Sequence, residues 1–201
     1  MTISKKSRLF ISIALAAASL VVLAMSLQAF AGSTSSTANA NIPNLAALKK
    51  VPAPSDKAPS GIEDSAADIG EGGLDVKSIR KLGQGENATY WAGRDSAGNI
   101  CLVFLLPSGT SGHACAAPED FNTDGTGVAL ENMETGEYIE AHLLPDGALP
   151  QEGKLYRQDA PGVVVIDPSL RSSRGEKIEI PTRKGEPIQF TVQGEVPRDQ
   201  L

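Results

Sequence analysis

The chain has 201 residues, is 41% hydrophobic but 4% aromatic, and carries a formal net charge of −6. That size allows one modest domain with non-globular ends, and the composition argues against a collagen, a coiled coil, a disulfide miniprotein and a multi-span membrane protein. The acidic balance argues against a nucleic-acid binder, which needs a basic face to neutralise phosphates.

The chain opens on a three-part export pattern. Lys5, Lys6 and Arg8 make a positive start, Leu9–Met25 runs without a charge, and Ala29-Phe30-Ala31 places small residues where a signal peptidase reads them. A cleaved signal peptide over residues 1–31 is therefore expected. A retained single-span anchor is the competing reading, because the 23 residues from Leu9 to Ala31 reach across roughly 30 Å of hydrocarbon. Either way the residues from Gly32 onward are expected outside, and contact with a membrane is expected only through residues 9–31 if they are not cleaved. Removing residues 1–31 takes away three basic and no acidic residues, so the remainder has 18 − 3 = 15 basic against 24 acidic, or −9. Such a balance keeps an exported domain soluble.

Residues 32–73 are enriched in Ser, Ala, Asn, Pro, Gly and Asp. Their opening has little apolar bulk to offset the entropy of ordering, so a flexible linker is expected, with a short transient helix at Leu45–Val51. The β-rich extracytoplasmic domain is expected over residues 74–201. Leu74–Leu82 reads either as a short helix capped by Asp75 and stopped by Gly83, or as an irregular lead-in to a strand.

From there the period is two. Ala88–Arg94 reads as a strand, Asp95–Asn99 as a five-residue hairpin loop, and the apolar run Ile100–Leu106 as the central, doubly buried strand. Pro107–Pro118 reads as a Gly/Ser-rich excursion carrying Cys115. Further strands are expected at Val128–Met133, Glu137–Leu144, Gly162–Ile166, Glu176–Ile180 and Pro187–Val192, with Pro145–Pro161 irregular and an appended sheet open to the last three. The fold class is thus mainly β: a small antiparallel sandwich or open barrel after an N-terminal hydrophobic helix and a flexible linker.

Cys101 and Cys115 close a loop of about 15 residues, and outside the cell their default is a disulfide. A thiol or metal site that adds His113 is the alternative, with only three ligands. Leu82–Ala92 resembles the glycine-rich nucleotide loop of protein kinases, but the third glycine is Ala88, no lysine stands in Ile100–Leu106, and no other kinase motif follows. It reads as a turn leading into a strand. Asp120, Asn122, Asp124 and Glu131 match the calcium-loop spacing of the EF-hand, in which oxygens at alternate positions converge on one ion. Pro118 and Glu134–Gly136 leave no room for the flanking helices, so an acidic turn with Phe121 as a core anchor is expected, and a calcium-stabilised module is carried as an alternative. No Gly-x-Ser-x-Gly or His-Glu-x-x-His pattern occurs. Glu140 and His142 share one strand face and read as a solvated pair; an exported hydrolase using them is a further alternative. Asn87-Ala88-Thr89 matches a glycosylation sequon.

Trp91-Ala92-Gly93-Arg94, Gly98-Asn99-Ile100-Cys101-Leu102, Cys115, Phe121 with Gly125, and Leu144-Pro145-Asp146-Gly147 together resemble a class of small exported proteins of actinobacteria. The resemblance spans about 60 residues, roughly 88–147. It implies export, a disulfide and a compact β-rich domain. The class has no assigned activity, so the resemblance implies no catalytic residue. The expectation is an exported, non-enzymatic β domain, without catalytic residues, metal or cofactor, that binds a protein or cell-envelope partner and no nucleic acid.

Overall fold

Among the described residues, ten strands carry the period-two segments into space. The computed structural model describes residues 44–60, 62, 73–151, 153, 155–170 and 172–194. The expected export segment 1–31 and the linker residues 32–43 and 63–72 lie outside the described residues. Among the described residues no helix is long and apolar enough to cross a membrane.

Strands β1 (Leu74–Gln84), β2 (Thr89–Asp95), β3 (Ile100–Leu105) and β4 (Ser111–Ala116) form an antiparallel meander. A short helix, α1 (Pro118–Asp124), follows. Strands β5 (Thr126–Glu131), β6 (Tyr138–Leu143), β7 (Tyr156–Ala160) and β8 (Val163–Ile166) build a second antiparallel sheet in the order β5-β6-β8-β7. Strands β9 (Lys177–Ile180) and β10 (Ile188–Thr191) pair with each other. The protein is therefore mainly β and antiparallel, and none of these sheets closes on itself.

The apolar run at β3 follows from burial on both faces. Ile100, Leu102 and Phe104 enter a core shared with Ile139, Ala141, Leu143, Val163 and Val165 of the second sheet. Cys101 and Val103 enter a second cluster with Leu74, Ile79 and Trp91. Each such side chain contributes about 1.5–3 kcal/mol on full burial. The same logic makes β8 a run of four buried aliphatics. Val163 and Val165 face the shared core, while Val164 and Ile166 meet Ile178, Ile180 and Ile188 of the β9–β10 pair and Val192 just beyond it. The domain is thus layered: cover, sheet, core, sheet, hairpin.

Several expectations need correction. Of the two readings of Leu74–Leu82 the helix falls and the strand holds, with an irregularity between Asp75 and Arg80. The hairpin loop is one residue shorter than expected, because Asp95 ends β2 and its carboxylate caps the turn. Oδ1 accepts from the amides of Ala97 and Asn99, both at 2.9 Å, and Gly98 supplies the positive φ of 86°. Half of the excursion 107–118 is β4, turned back at Leu106–Thr110 onto β3. Pro145–Pro161 contains β7, whose Arg157, Gln158 and Asp159 hide it from an apolar count although Tyr156 and Ala160 are buried. Only β9 and β10 form an added sheet, since β8 pairs with β6 and β7.

The described part of the expected linker is docked on the domain. Leu45 enters the shared core, and Ala58 and Ile62 cover the outer face of the first sheet. Polar contacts fix this strap between those points. Arg80 Nε donates to the Lys50 carbonyl at 2.9 Å, the Lys81 amide to Asp56 Oδ1 at 3.0 Å, and the Ala46 amide to Asp146 Oδ2 at 2.6 Å. The short helix near residue 45 is one 3₁₀ turn, Ala46–Lys49.

Cys101 and Cys115 are bonded to each other and stand opposite in the β3–β4 register. Changing both to alanine is expected to destabilise the domain by about 3 kcal/mol, the entropy released in the unfolded chain by opening a loop of about 15 residues. Urea unfolding of the variant against the oxidised protein measures it; a loss well under 1 kcal/mol would mean the hairpin is equally closed without the bond.

Candidate functional site

The polar face of β6 is not solvated. Glu140 is fully buried and His142 is 5% exposed. Alternation sends Ile139, Ala141 and Leu143 into the shared core, so Tyr138, Glu140 and His142 fall on the opposite face. The chain beyond β10 lies over that face. Sequence alternation located the pair, but what covers it comes from 50 residues away.

Glu140 is saturated. Its Oε1 accepts from His142 Nε2 at 3.1 Å and from the Gln193 amide at 2.9 Å. Its Oε2 accepts from the Tyr138 hydroxyl at 2.9 Å and from the Gly194 amide at 3.2 Å. A carboxylate offers about four lone-pair sites, and these four donors take them. Because the carboxylate only accepts, His142 carries its proton on Nε2. Its ring stacks on Phe190, centroids 3.9 Å apart at 18°. The other ring face meets Gly127, its register partner on β5; a Cβ there would overlap Nδ1. Gln193 extends the closure, accepting from the Ala129 amide and donating to the Gly127 carbonyl on the open edge of β5.

Burial works to raise the Glu140 pKa, but the bonds from His142, Gln193 and Gly194 outweigh it and hold the carboxyl below its ordinary range. Folding therefore favours the ionised form. The stability this adds is present above the usual glutamate value of about 4.3 and is lost as pH falls through the lower folded value. Stability measured by urea from pH 6 downward is expected to fall more steeply in the wild type than in Glu140→Gln. Parallel curves would contradict the assignment.

Beside this buckle lies a groove of about 530 Å³, lined by Leu130, Met133, Tyr138, Arg174 and Val192. The buckle turns its hydrogen-bonding capacity inward, so Glu140 and His142 act as a clasp between β6 and residues 193–194.

The other sequence candidates are placed elsewhere. Asp120, Asn122 and Asp124 lie on α1, where alternate residues point apart, and Glu131 ends β5; the helix replaces the loop on which EF-hand convergence depends. Asn122 Oδ1 accepts from the Asn44 amide at 2.7 Å. The residues of the calcium alternative thus lie on two separate elements, and a helix stands where an acidic turn is expected. Phe121 is fully buried in the shared core, as the anchor reading expects. The glycine-rich stretch is the β1–β2 hairpin, closed by the Gly85 amide on the Ala88 carbonyl. Its Glu86 amide donates to Asp159, which also accepts from Tyr90 Oη at 2.7 Å and Arg157 Nε at 3.3 Å. Burial first, then Asp159, drives the Tyr90 pKa well above its ordinary range. A protein carboxylate thus sits at the turn where a nucleotide loop would meet phosphate. Asp159 had no sequence signal, because Glu86 and Tyr90 reach it from the other sheet. His113 faces Val103 in the β4 register.

No protein-family model matches the chain, and no curated protein or solved structure matches it either. A disulfide-bonded β domain fits an oxidising compartment.

Proposed function

We propose that this protein is an exported, non-enzymatic β domain that serves as a binding or envelope-associated module, released by cleavage near Ala31 or held by residues 9–31. The architecture is read as a sandwich, supported by the core that both four-stranded sheets share. The observation that carries the functional reading is the saturation of Glu140: the best acid/base candidate spends its oxygens and its histidine on holding the chain together. The disulfide and the acidic surface support an extracellular or envelope location. The likeness to small exported proteins of actinobacteria points the same way.

Mass spectrometry of the protein from culture medium and envelope fractions tests export. A mature product without residues 1–31, or an intact one in the membrane fraction, supports it; an intact, reduced product confined to the cytosol overturns it. Affinity capture on the exported protein from supernatant and cell wall tests the role. A saturable envelope or protein partner retained by His142→Asn supports a binding module. Hydrolysis of ester, peptide or glycoside probes that disappears in that variant overturns it.

A further inference from the structure

Three potential ligand atoms converge at the end of the first sheet. Cys101 Sγ, Cys115 Sγ and a carboxylate oxygen of Asp95 all lie within 4.8 Å of one another, the one such group of His, Cys, Asp and Glu atoms among the described residues. The register brings them there. Cys101 and Cys115 are direct partners across β3 and β4, and Asp95 ends β2 next to the turn that starts β3. Asp95 and Cys101 are buried, and Cys115 is half-buried.

The carboxylate is held in place before any ligand arrives. Its Oδ1 accepts from the amides of Ala97 and Asn99, and its Oδ2 from Asn99 Nδ2 at 2.7 Å. Three of about four acceptor sites are used, so one remains. In the oxidised protein the sulfurs are committed to each other. Reduction changes the chemistry of the cluster. A trialkylphosphine attacks one sulfur and expels the other as thiolate; water then supplies the oxygen of the phosphine oxide and the two thiol protons. Two sulfurs and a carboxylate are left on a rigid ladder.

We propose that the reduced chain binds a borderline-soft divalent cation, Zn²⁺ in the first place, through Cys101 Sγ, Cys115 Sγ and one oxygen of Asp95, with water as the fourth ligand. Zinc takes thiolate at about 2.3 Å and carboxylate at about 2.0–2.2 Å in a tetrahedron, which sets ligand atoms roughly 3.4–3.8 Å apart. The cluster is within reach of that spacing once the sulfurs part. Two thiolates select zinc over calcium and magnesium, which favour all-oxygen shells. Both thiols release protons on binding, so affinity rises with pH. The metal then ties β3 to β4 where the disulfide did, under the cover of Ala58 and Ile62. His113 shares a strand face with Cys115 but is not one of the three clustered ligands.

The test uses the full-length protein, reduced with phosphine, desalted without oxygen and titrated with Co²⁺ alone as a probe of the zinc site. One Co²⁺ per chain with a thiolate charge-transfer band, displaced by Zn²⁺, is expected. The band is absent in Cys115→Ser, roughly tenfold or more weaker in affinity in Asp95→Asn, and unchanged in His113→Asn. No band while circular dichroism still reports sheet overturns the proposal. So does a band indifferent to Asp95→Asn, which marks an adventitious two-sulfur chelate. If reduction itself unfolds the chain, recovery of the sheet signal on adding Zn²⁺ supports the site and failure to recover overturns it.

Discussion

Glu140→Ala is expected to lower stability by about 3–5 kcal/mol, as follows when a buried hydrogen-bond network loses its central acceptor. Four donors lose their acceptor at once: His142 Nε2, the Tyr138 hydroxyl, and the amides of Gln193 and Gly194. Each donor left buried without a partner costs about 1–3 kcal/mol, and relaxation toward water recovers part of it. The damage is directional. Residues 193–194 lose their anchor first, and Gln193 then ceases to cover the edge of β5. Urea unfolding gives the magnitude, and amide exchange gives the place. Faster exchange at Gln193 and Gly194, with β2 and β3 still protected, is the expected pattern. Glu140→Gln keeps one acceptor oxygen and is expected to fall between alanine and wild type. A loss under 1 kcal/mol for Glu140→Ala would remove the clasp from the account.

Phe121→Ala is expected to cost a similar amount, about 3–5 kcal/mol, by a different route. Phe121 is the only buried residue of α1. It fills space in the core that both sheets share, beside Phe104 and Leu143. Alanine there leaves a cavity between two rigid sheets, which close over it only in part. A seven-residue helix has no stability of its own, so losing its anchor also frees Asn122 from the Asn44 amide. The strap should then loosen at residue 44. Thermal unfolding and limited proteolysis check the two effects. Phe121→Leu, which refills most of the volume, is expected to recover most of the stability; a Phe121→Ala protein as stable as wild type would mean that α1 is not a packing element.

Much of this was legible in residue order. The apolar run Ile100–Leu106 announced a strand buried on both sides, found at Ile100–Leu105, and Cys101 and Cys115 announced their bond. Strand β7 was not legible, because a strand whose middle residues are Arg, Gln and Asp shows alternation only once Tyr156 and Ala160 are known to face inward. The strap was misread for a related reason. Leu45, Ala58 and Ile62 are too sparse to suggest a packed segment, yet each meets a seat prepared by the sheets.

The candidate site shows the same division. Periodicity placed Glu140 and His142 on one face, and composition suggested that this face met water. The amides of Gln193 and Gly194 and the ring of Phe190, some fifty residues on, made it a closed face instead. Residue order by itself determined seven of the ten described strands, the disulfide and Phe121 as an anchor, because those depend on local period, spacing and side-chain size. Which polar groups are buried and what they hold was decided by the tertiary structure alone, because desolvation and hydrogen bonding depend on neighbours distant in the chain.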